Sequence, residues 1–162
     1  MSRNGTTSFS MHGGLIRMMN LSGSGYLSRP SEAVFNSSAS FSIIAWIKKE
    51  TPATQFPIVA KSAGFTWSTE LNFFFVHGSS DNLNLTIGDA SAATSFTQAA
   101  PVGEIYFAGC SYDPGNAVVL YMGTQADGFQ TFVFTSDIPA SRNSASATEV
   151  TIGATSGGQN QA

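Results

Sequence analysis

The stretch Phe41-Ser42-Ile43-Ile44-Ala45-Trp46-Ile47-Lys48 decides the fold of this chain. Successive side chains of a β-strand point to opposite faces, so its odd-numbered residues, which are Phe, Ile, Ala and Ile, share one face. That apolar face predicts a strand that packs against a core. The even-numbered face carries Ser, Ile, Trp and Lys, and it is neither plainly polar nor plainly buried.

Short strands of this kind recur along the rest of the chain. A spacing of about 8–12 residues between them is typical of antiparallel sandwiches and barrels. Turn sequences separate the strands: in Asp113-Pro114-Gly115-Asn116, Pro presets φ at the second position and Gly accepts a positive φ at the third. No stretch has a sustained helical period. The sequence therefore predicts an all-β, antiparallel sandwich or barrel.

Composition excludes several classes of protein. The chain has 162 residues, of which 42% are hydrophobic and only 10% are charged, so we expect one domain with a polar but weakly charged surface. A net charge of −3 argues against nucleic-acid binding and leaves little repulsion to oppose self-association. Cys110 is the single cysteine, which rules out an internal disulfide. No segment has the length and hydropathy of a membrane span, and residues 1–7 lack the apolar region of a secretion signal.

One predicted strand is apolar on both faces. Phe73-Phe74-Phe75 places large side chains on either side of the backbone. Such a strand is expected to be covered on both faces, either by loops of its own chain or by a partner chain.

The order of the segments resembles the laminin-G-like, concanavalin A-type jelly-roll sandwich. The resemblance covers roughly residues 15–155, with a polar arm at 1–14 and a polar tail at 156–162. It implies an antiparallel two-sheet β-sandwich whose members include lectins, adhesion modules, glycosidases and structural domains. The pieces that carry it are Tyr26-Leu27, Phe41 to Lys48, Pro57 to Lys61, Tyr106 to Asp113, Val119 to Gly123, and Val150 to Ala154.

The chain departs from this family at two places. Ile105 stands where the family usually has Trp, and no strand of the pattern Gly-X-Ile-Asp-Glu-Val-X-Ile follows Ile152-Gly153. The second departure leaves one sheet position empty and an edge unpaired, which invites a strand from another chain. Residues 6–12 of the arm are an alternative occupant, and a third possibility is that the sequence is a fragment.

The sequence offers no catalytic constellation, and we predict that the chain is not an enzyme and needs no cofactor. The tight Glu-X-Asp-X-X-Glu run of glycosidases with this sandwich is absent, and the ten acidic residues are scattered. His12 and His77 are the only histidines, and no metal-binding Cys/His spacing is present. Calcium is the one possible ion, since Asp81, Asn82 and Asp113 carry hard oxygen ligands, but we favour their role as ordinary turn residues.

Sugar binding requires exposed aromatic faces beside hydrogen-bonding groups. Trp67, Trp46 and Tyr112 are the candidate ligand-binding residues. Trp67 lies between Thr66 and Ser68 near a turn and is expected to be exposed. Trp46 shares its face with Ile44, and we expect loops or core to cover it.

We carry two functions forward. The first is a non-enzymatic structural or assembly module, acting through protein contacts as a homo-oligomer or part of a virion assembly, at the virion surface as a capsid decoration or fibre-associated protein. The alternative, which the resemblance implies by itself, is a carbohydrate-binding adhesion module that recognises cell-surface glycans. Neither involves nucleic acid or a membrane span.

Overall fold

A computed structural model describes residues 2–4, 7–12, 16–21, 26–30, 39–62, 71–89, 92–143 and 148–153. The described residues form thirteen strands and no helix. In chain order they are β1 (Ser2–Asn4), β2 (Thr7–His12), β3 (Ile16–Leu21), β4 (Tyr26–Arg29), β5 (Phe41–Lys48), β6 (Phe56–Lys61), β7 (Phe73–His77), β8 (Asn82–Gly88), β9 (Ala93–Ala99), β10 (Ile105–Asp113), β11 (Ala117–Thr124), β12 (Gly128–Phe134) and β13 (Val150–Ile152).

The strands form two large antiparallel sheets that pack as a sandwich. One sheet has seven strands in the order β1-β4-β13-β6-β7-β8-β9, and the other has four in the order β12-β11-β10-β5. A separate two-stranded sheet joins β2 to β3. The predicted fold class, an all-β antiparallel two-sheet sandwich, is confirmed. Among the described residues no helix has the length and hydropathy needed to cross a bilayer.

The core lies between the two large sheets and is built by period-two alternation. In β8 the buried residues Leu83, Leu85 and Ile87 alternate with half-buried polar residues, as a strand covered on one face requires. Burying such a side chain stabilises the fold by about 1.5–3 kcal/mol. The four-stranded sheet contributes buried residues of the same kind: Tyr106, Ala108, Cys110, Val118 and Leu120.

Strand β7 is buried over its whole length, which confirms that both of its faces are covered. Phe73 and Phe75 belong to the main core. Phe74 and Val76 point the other way and form a second buried cluster with Ala60 and Leu71.

Strand β5 has the predicted bounds, Phe41–Lys48, and pairs with β10 along its whole length, from Phe41 opposite Tyr112 to Lys48 opposite Ile105. Its odd-numbered residues pack on the core, as the alternation predicts. Within the described residues β10 is its one hydrogen-bonded neighbour, so β5 is an edge of its sheet.

The described residues of the arm, Ser2–Asn4 and Thr7–His12, do not occupy the position beside β5. Ser2–Asn4 pairs with Tyr26–Arg29 at the far edge of the seven-stranded sheet. Thr7–His12, which the sequence offered as an occupant of the empty position, pairs with Ile16–Leu21 instead. The tail from residue 154 onward lies outside the described residues.

The turn after β10 has the conformation that its sequence predicts. Gly115 has φ of +69°, which a residue without Cβ adopts at little cost. The Asn116 amide donates to the Asp113 carbonyl at 3.1 Å and closes the turn.

A candidate recognition face on the four-stranded sheet

The register of the four-stranded sheet brings three aromatic residues into one row on its outer face. Phe107 lies opposite Trp46 of β5 on one side and opposite Gly123 of β11 on the other. Gly123 in turn lies opposite Phe129 of β12. The side chains of Trp46, Phe107 and Phe129 point away from the core, because side chains alternate along each strand and Ala45, Ala108 and Phe132 on the opposite face pack into it. We call Trp46, Phe107 and Phe129 the aromatic row.

A glycine allows the row to close across β11. A Cβ at Gly123 would lie 3.3 Å from Cβ of Phe107 and 3.5 Å from a ring carbon of Phe129. Because glycine has no Cβ, this space stays free for the two aromatic side chains. The ring centroids of Trp46 and Phe107 are 5.7 Å apart, and those of Phe107 and Phe129 are also 5.7 Å apart. Neighbouring rings at these distances stabilise one another and fix the shape of the surface.

The aromatic row is open to solvent. Trp46 is 62% exposed and Phe129 is 64% exposed, while Phe107 between them is half-buried. The next rows add Ile44, which is 70% exposed, and Val133, which is 63% exposed. Among the residues whose side chains the structure describes, from Tyr26 onward, these four are the large exposed hydrophobic ones. Their position on one sheet face makes that face a candidate binding surface, because large exposed apolar patches on soluble domains are often interaction sites.

Side chains with hydroxyl groups lie at the other end of the same face, away from the aromatic row. A shallow depression of about 470 Å³ lies where β5 begins and β10 ends, and it is lined by Ser40, Phe41, Ser42, Ser111, Tyr112 and Asp113. The Ser40 hydroxyl donates to the Asp113 carboxylate at 3.0 Å. Asp113 therefore presents a fixed carboxylate at the polar end of the face.

Tyr121 links the polar end to the aromatic row. Its hydroxyl lies 3.1 Å from the Ser111 hydroxyl, and its ring stacks on Phe129 with centroids 6.1 Å apart. The outer face is thus apolar on one side and hydrogen-bonding on the other, with Tyr121 contacting both.

Charge is sparse on this face. Its four strands contain two charged side chains, Lys48 at the end of β5 and Asp113 at the end of β10. Lys48 forms an ion pair with Glu50 at 2.9 Å. Asp113 accepts a second hydrogen bond, from the Asn116 side chain at 3.1 Å.

The three candidate ligand-binding residues fall in different places. Trp46 lies on the exposed face, so the expectation that loops or core cover it is wrong. Tyr112 points to the opposite side of its strand and is only 1% exposed, with its hydroxyl donating to the Pro139 carbonyl at 2.6 Å. It therefore offers no open ring face to a sugar. Trp67 lies outside the described residues.

The three calcium candidates are not brought together. Asp81 forms an ion pair of 2.7 Å with Lys49, which directly follows the last residue of β5. Asp113 lies at the other end of β5, one residue beyond Tyr112, which is opposite Phe41. The hydrogen bond from Lys49 is the main reason that the pKa of Asp81 lies below its usual value. Among the described residues no group of three or more His, Cys, Asp or Glu side chains is arranged to hold a metal ion.

A buried polar pair, His77 and Tyr106, lies near the C-terminal end of β5, where Tyr106 is opposite Ile47. His77 is fully buried, and its Nδ1 lies 2.9 Å from the Tyr106 hydroxyl. Desolvation lowers the pKa of His77 to about 4, with a further lowering from Lys49 and an opposing effect of Asp81. Because both rings are closed off from solvent, we assign the pair to the core and not to a reaction site.

Sequence reasoning missed Phe107 and Phe129 as site residues. Each lies in a strand with aromatic or bulky residues on both faces, so alternation alone does not say which face is exposed. The signal that identifies them is register, which places both beside Gly123.

Comparison with known proteins supports the sandwich fold. No protein-family model and no curated protein sequence matches this chain. Among solved structures, the binding domain of botulinum neurotoxin DC in complex with SialylT is similar over 93% of this chain, with a TM-score of 0.60 and 11% identity. A structure of botulinum neurotoxin type C, described as entering cells through two ganglioside molecules, is similar over 96% of this chain, with a TM-score of 0.56 and 12% identity.

A third similar structure is tailspike protein 2 of the Escherichia coli O157:H7 bacteriophage CAB120, over 91% of this chain, with a TM-score of 0.58 and 16% identity. This chain spans 38% of each toxin chain and 22% of the tailspike chain. At these identities the likeness shows the fold alone: a sandwich of β-sheets shared with botulinum neurotoxin structures and a phage tailspike.

Proposed function

We propose that this chain is a carbohydrate-binding module whose outer four-stranded face receives the sugar. The observation that carries the proposal is the aromatic row of Trp46, Phe107 and Phe129, with Trp46 and Phe129 exposed on the sheet face that also carries a depression lined in part by serine hydroxyls. The faces of aromatic rings stack against the apolar faces of sugar rings, and dispersion forces and the burial of apolar surface stabilise this contact. Hydroxyl and carboxylate oxygens at the polar end then accept or donate hydrogen bonds to sugar hydroxyls.

The structural neighbours agree with this class of ligand. Two of them are toxin structures described with SialylT or ganglioside molecules, and the third is a phage tailspike. We propose an adhesion role at a virion surface for this chain, as a fibre-associated or capsid-decoration protein. The neighbouring genes in the source genome test this setting: capsid and tail genes support it, and a polysaccharide operon contradicts it.

A glycan array tests the binding function directly. The intact chain is expected to bind a subset of glycans, and Trp46→Ala and Phe129→Ala are expected to remove those signals. Trp46→Phe keeps a ring at the same position and should retain part of the binding, while Thr97→Ala, on an exposed position of β9, should leave it unchanged. Silence of the intact chain across a broad array, or unchanged binding by both alanine variants, contradicts the proposal.

We propose that the module is not an enzyme. The carboxylates of Asp81 and Asp113 in the described residues are each tied to local partners, at opposite ends of β5. Incubating the chain with the glycans that it binds should release no product by chromatography, and a time-dependent product would overturn this part of the proposal.

Assembly through protein contacts is the second candidate, and the edge at β5 favours it. The strand is eight residues long, contains no proline and has a single charge, at its last residue. Native proteins usually protect such edges because they accept strands from other chains. Light scattering is expected to show a homo-oligomer, and Ile44→Lys, which adds a charge at the exposed centre of the edge, should shift it toward monomer. A monomeric intact chain at all concentrations contradicts this candidate.

A further inference from the structure

The charges around the aromatic row point to the class of glycan that it takes. We infer that the outer face of the four-stranded sheet binds neutral glycans in preference to glycans that carry sialic acid, sulfate or phosphate. The inference rests on the proposed carbohydrate-binding function and adds to it a selection by charge.

Recognition of an acidic sugar needs a cation or a cluster of free donors at the site. Most cations with described side chains are engaged in the interior: Lys49 pairs with Asp81 at 2.7 Å, Lys61 donates to the Thr148 carbonyl at 2.7 Å, and Arg142 donates to Asn72 at 2.7 Å. All three of these cations are buried. They stabilise the fold and present no charge to the outer face.

The remaining basic residues lie on other strands, with one exception. Arg3, Arg17 and Arg29 belong to β1, β3 and β4, which lie outside the four-stranded sheet. The exception is Lys48, whose ammonium group forms an ion pair with Glu50 at 2.9 Å. Among the described side chains, then, the outer face holds no positive charge without an acidic partner.

The polar end of the face carries the opposite charge. Asp113 keeps its carboxylate beside the depression because the Ser40 hydroxyl and the Asn116 amide both donate to it. A carboxylate accepts hydrogen bonds from sugar hydroxyls but repels a sialic acid or sulfate placed at the same distance. The chemistry of the site thus accepts hydroxyl-rich, uncharged sugars and disfavours anionic ones.

Paired glycans give the test. Each pair contains a neutral oligosaccharide ending in galactose, glucose or N-acetylglucosamine and the same oligosaccharide capped with sialic acid or sulfate. We expect the neutral member of each bound pair to bind about tenfold or more tightly, since repulsion replaces a hydrogen bond in the capped member. Raising the salt concentration should leave the neutral affinity unchanged, because no ion pair contributes to it.

A charge added to the face should reverse the preference. Thr131 is exposed on β12 in the row next to the aromatic row, so Thr131→Arg places a guanidinium beside Tyr121 without disturbing the core. This variant is expected to gain binding to the capped members, whereas Thr131→Gln, of similar shape without charge, should not. Asp113→Asn should narrow the difference within each pair. Thermal unfolding of each variant verifies that it is folded.

The outcomes separate the inference from the function on which it rests. Equal or tighter binding of the capped members by the intact chain overturns the charge selection while carbohydrate binding stands. No binding to either member of any pair overturns both. Preferential neutral binding that Trp46→Ala removes, together with the reversal by Thr131→Arg, supports the inference.

Discussion

Strands β5 and β10 each carry aromatic residues on both faces, and the aromatic residues of the two faces differ in their exposure to solvent. On the inner face Phe41 and Tyr112 lie with their ring centroids 5.6 Å apart in the core. On the outer face Trp46 and Phe107 are 5.7 Å apart, nearly the same distance, but Trp46 projects into solvent. The residue types and spacing are alike, so the difference lies in what else each pair contacts.

The inner pair is fixed by many further contacts. Phe41 also contacts Phe73, with ring centroids 5.0 Å apart, and the guanidinium of Arg142 lies 4.7 Å above its ring. Tyr112 is anchored through its hydroxyl to Pro139. The outer pair has ring neighbours on one side and open space on the other. Inner aromatic residues therefore stabilise the fold, while the outer ones are left available for a ligand.

The largest expected effect comes from removing an inner ring. Phe75 is fully buried in the main core, and Phe75→Ala deletes its contacts and leaves a cavity. The free energy of unfolding should fall by about 3–5 kcal/mol. Urea denaturation followed by circular dichroism measures it. A loss below about 1 kcal/mol would show that the inner face does not carry the stability that the comparison assigns to it.

The second-largest effect on the free energy of unfolding should come from acid, through the buried side chain of His77. The pKa of His77 is lowered to about 4 from an ordinary value of 6.5, chiefly by desolvation, so the unfolded chain takes up a proton between these pH values and the folded chain does not. Stability is full above about pH 6.5 and falls toward pH 4, by on the order of 3 kcal/mol.

Urea denaturation at pH 7 and pH 4.5 measures the effect of His77. The groups that face the ring are the Tyr106 hydroxyl, Lys49 and Asp81. Asp81 contributes little to this loss, because a carboxylate with a lowered pKa costs stability only near and below its ordinary pKa of 3.8, which lies under the pH 4.5 of the measurement. His77→Gln should remove most of the pH dependence, and an equally steep dependence in that variant would assign it to other groups.

The sequence predicted the inner face of the four-stranded sheet better than its outer face. The bounds and inner face of β5 followed from alternation, because four apolar residues at period two have one plausible arrangement. Strand β10 was harder: Tyr112 and Phe107 lie on opposite faces, and both faces contain aromatic residues. Pairing with β5 decides which face is inner, and register is a property of two strands that neither sequence contains alone.

The exposure of Trp46 was beyond the sequence for a related reason. Whether a loop covers a sheet face depends on contacts between residues far apart in the chain, and local polarity does not encode them. Phe129 was missed because its strand also carries Phe132 and Phe134 on the other face, so composition alone does not say which face is exposed. What did follow from composition was the low charge of the surface, which remains the basis of the inference about neutral glycans.

A smaller effect is expected from the anchoring hydroxyl of the inner pair. Tyr112→Phe keeps the ring and removes the hydrogen bond to the Pro139 carbonyl, leaving that acceptor without this donor. The cost should be about 1 kcal/mol, measured as the change in the free energy of unfolding. Tyr121→Phe, whose hydroxyl contacts Ser111 on the outer face, is the matched control and should cost less. A larger loss from Tyr121→Phe would reverse the assignment of the two faces.

The smallest effect on stability should come from the outer row. Trp46 is the largest exposed side chain of β5, and Trp46→Ala removes a ring whose aromatic neighbour among the described residues is Phe107. The free energy of unfolding should change by less than about 1 kcal/mol, because little buried surface is lost. Glycan binding should nevertheless fall by about tenfold or more in the same variant. A variant that loses stability and binding in proportion would mean that Trp46 serves the fold, and only the separation of the two effects assigns the outer face to recognition.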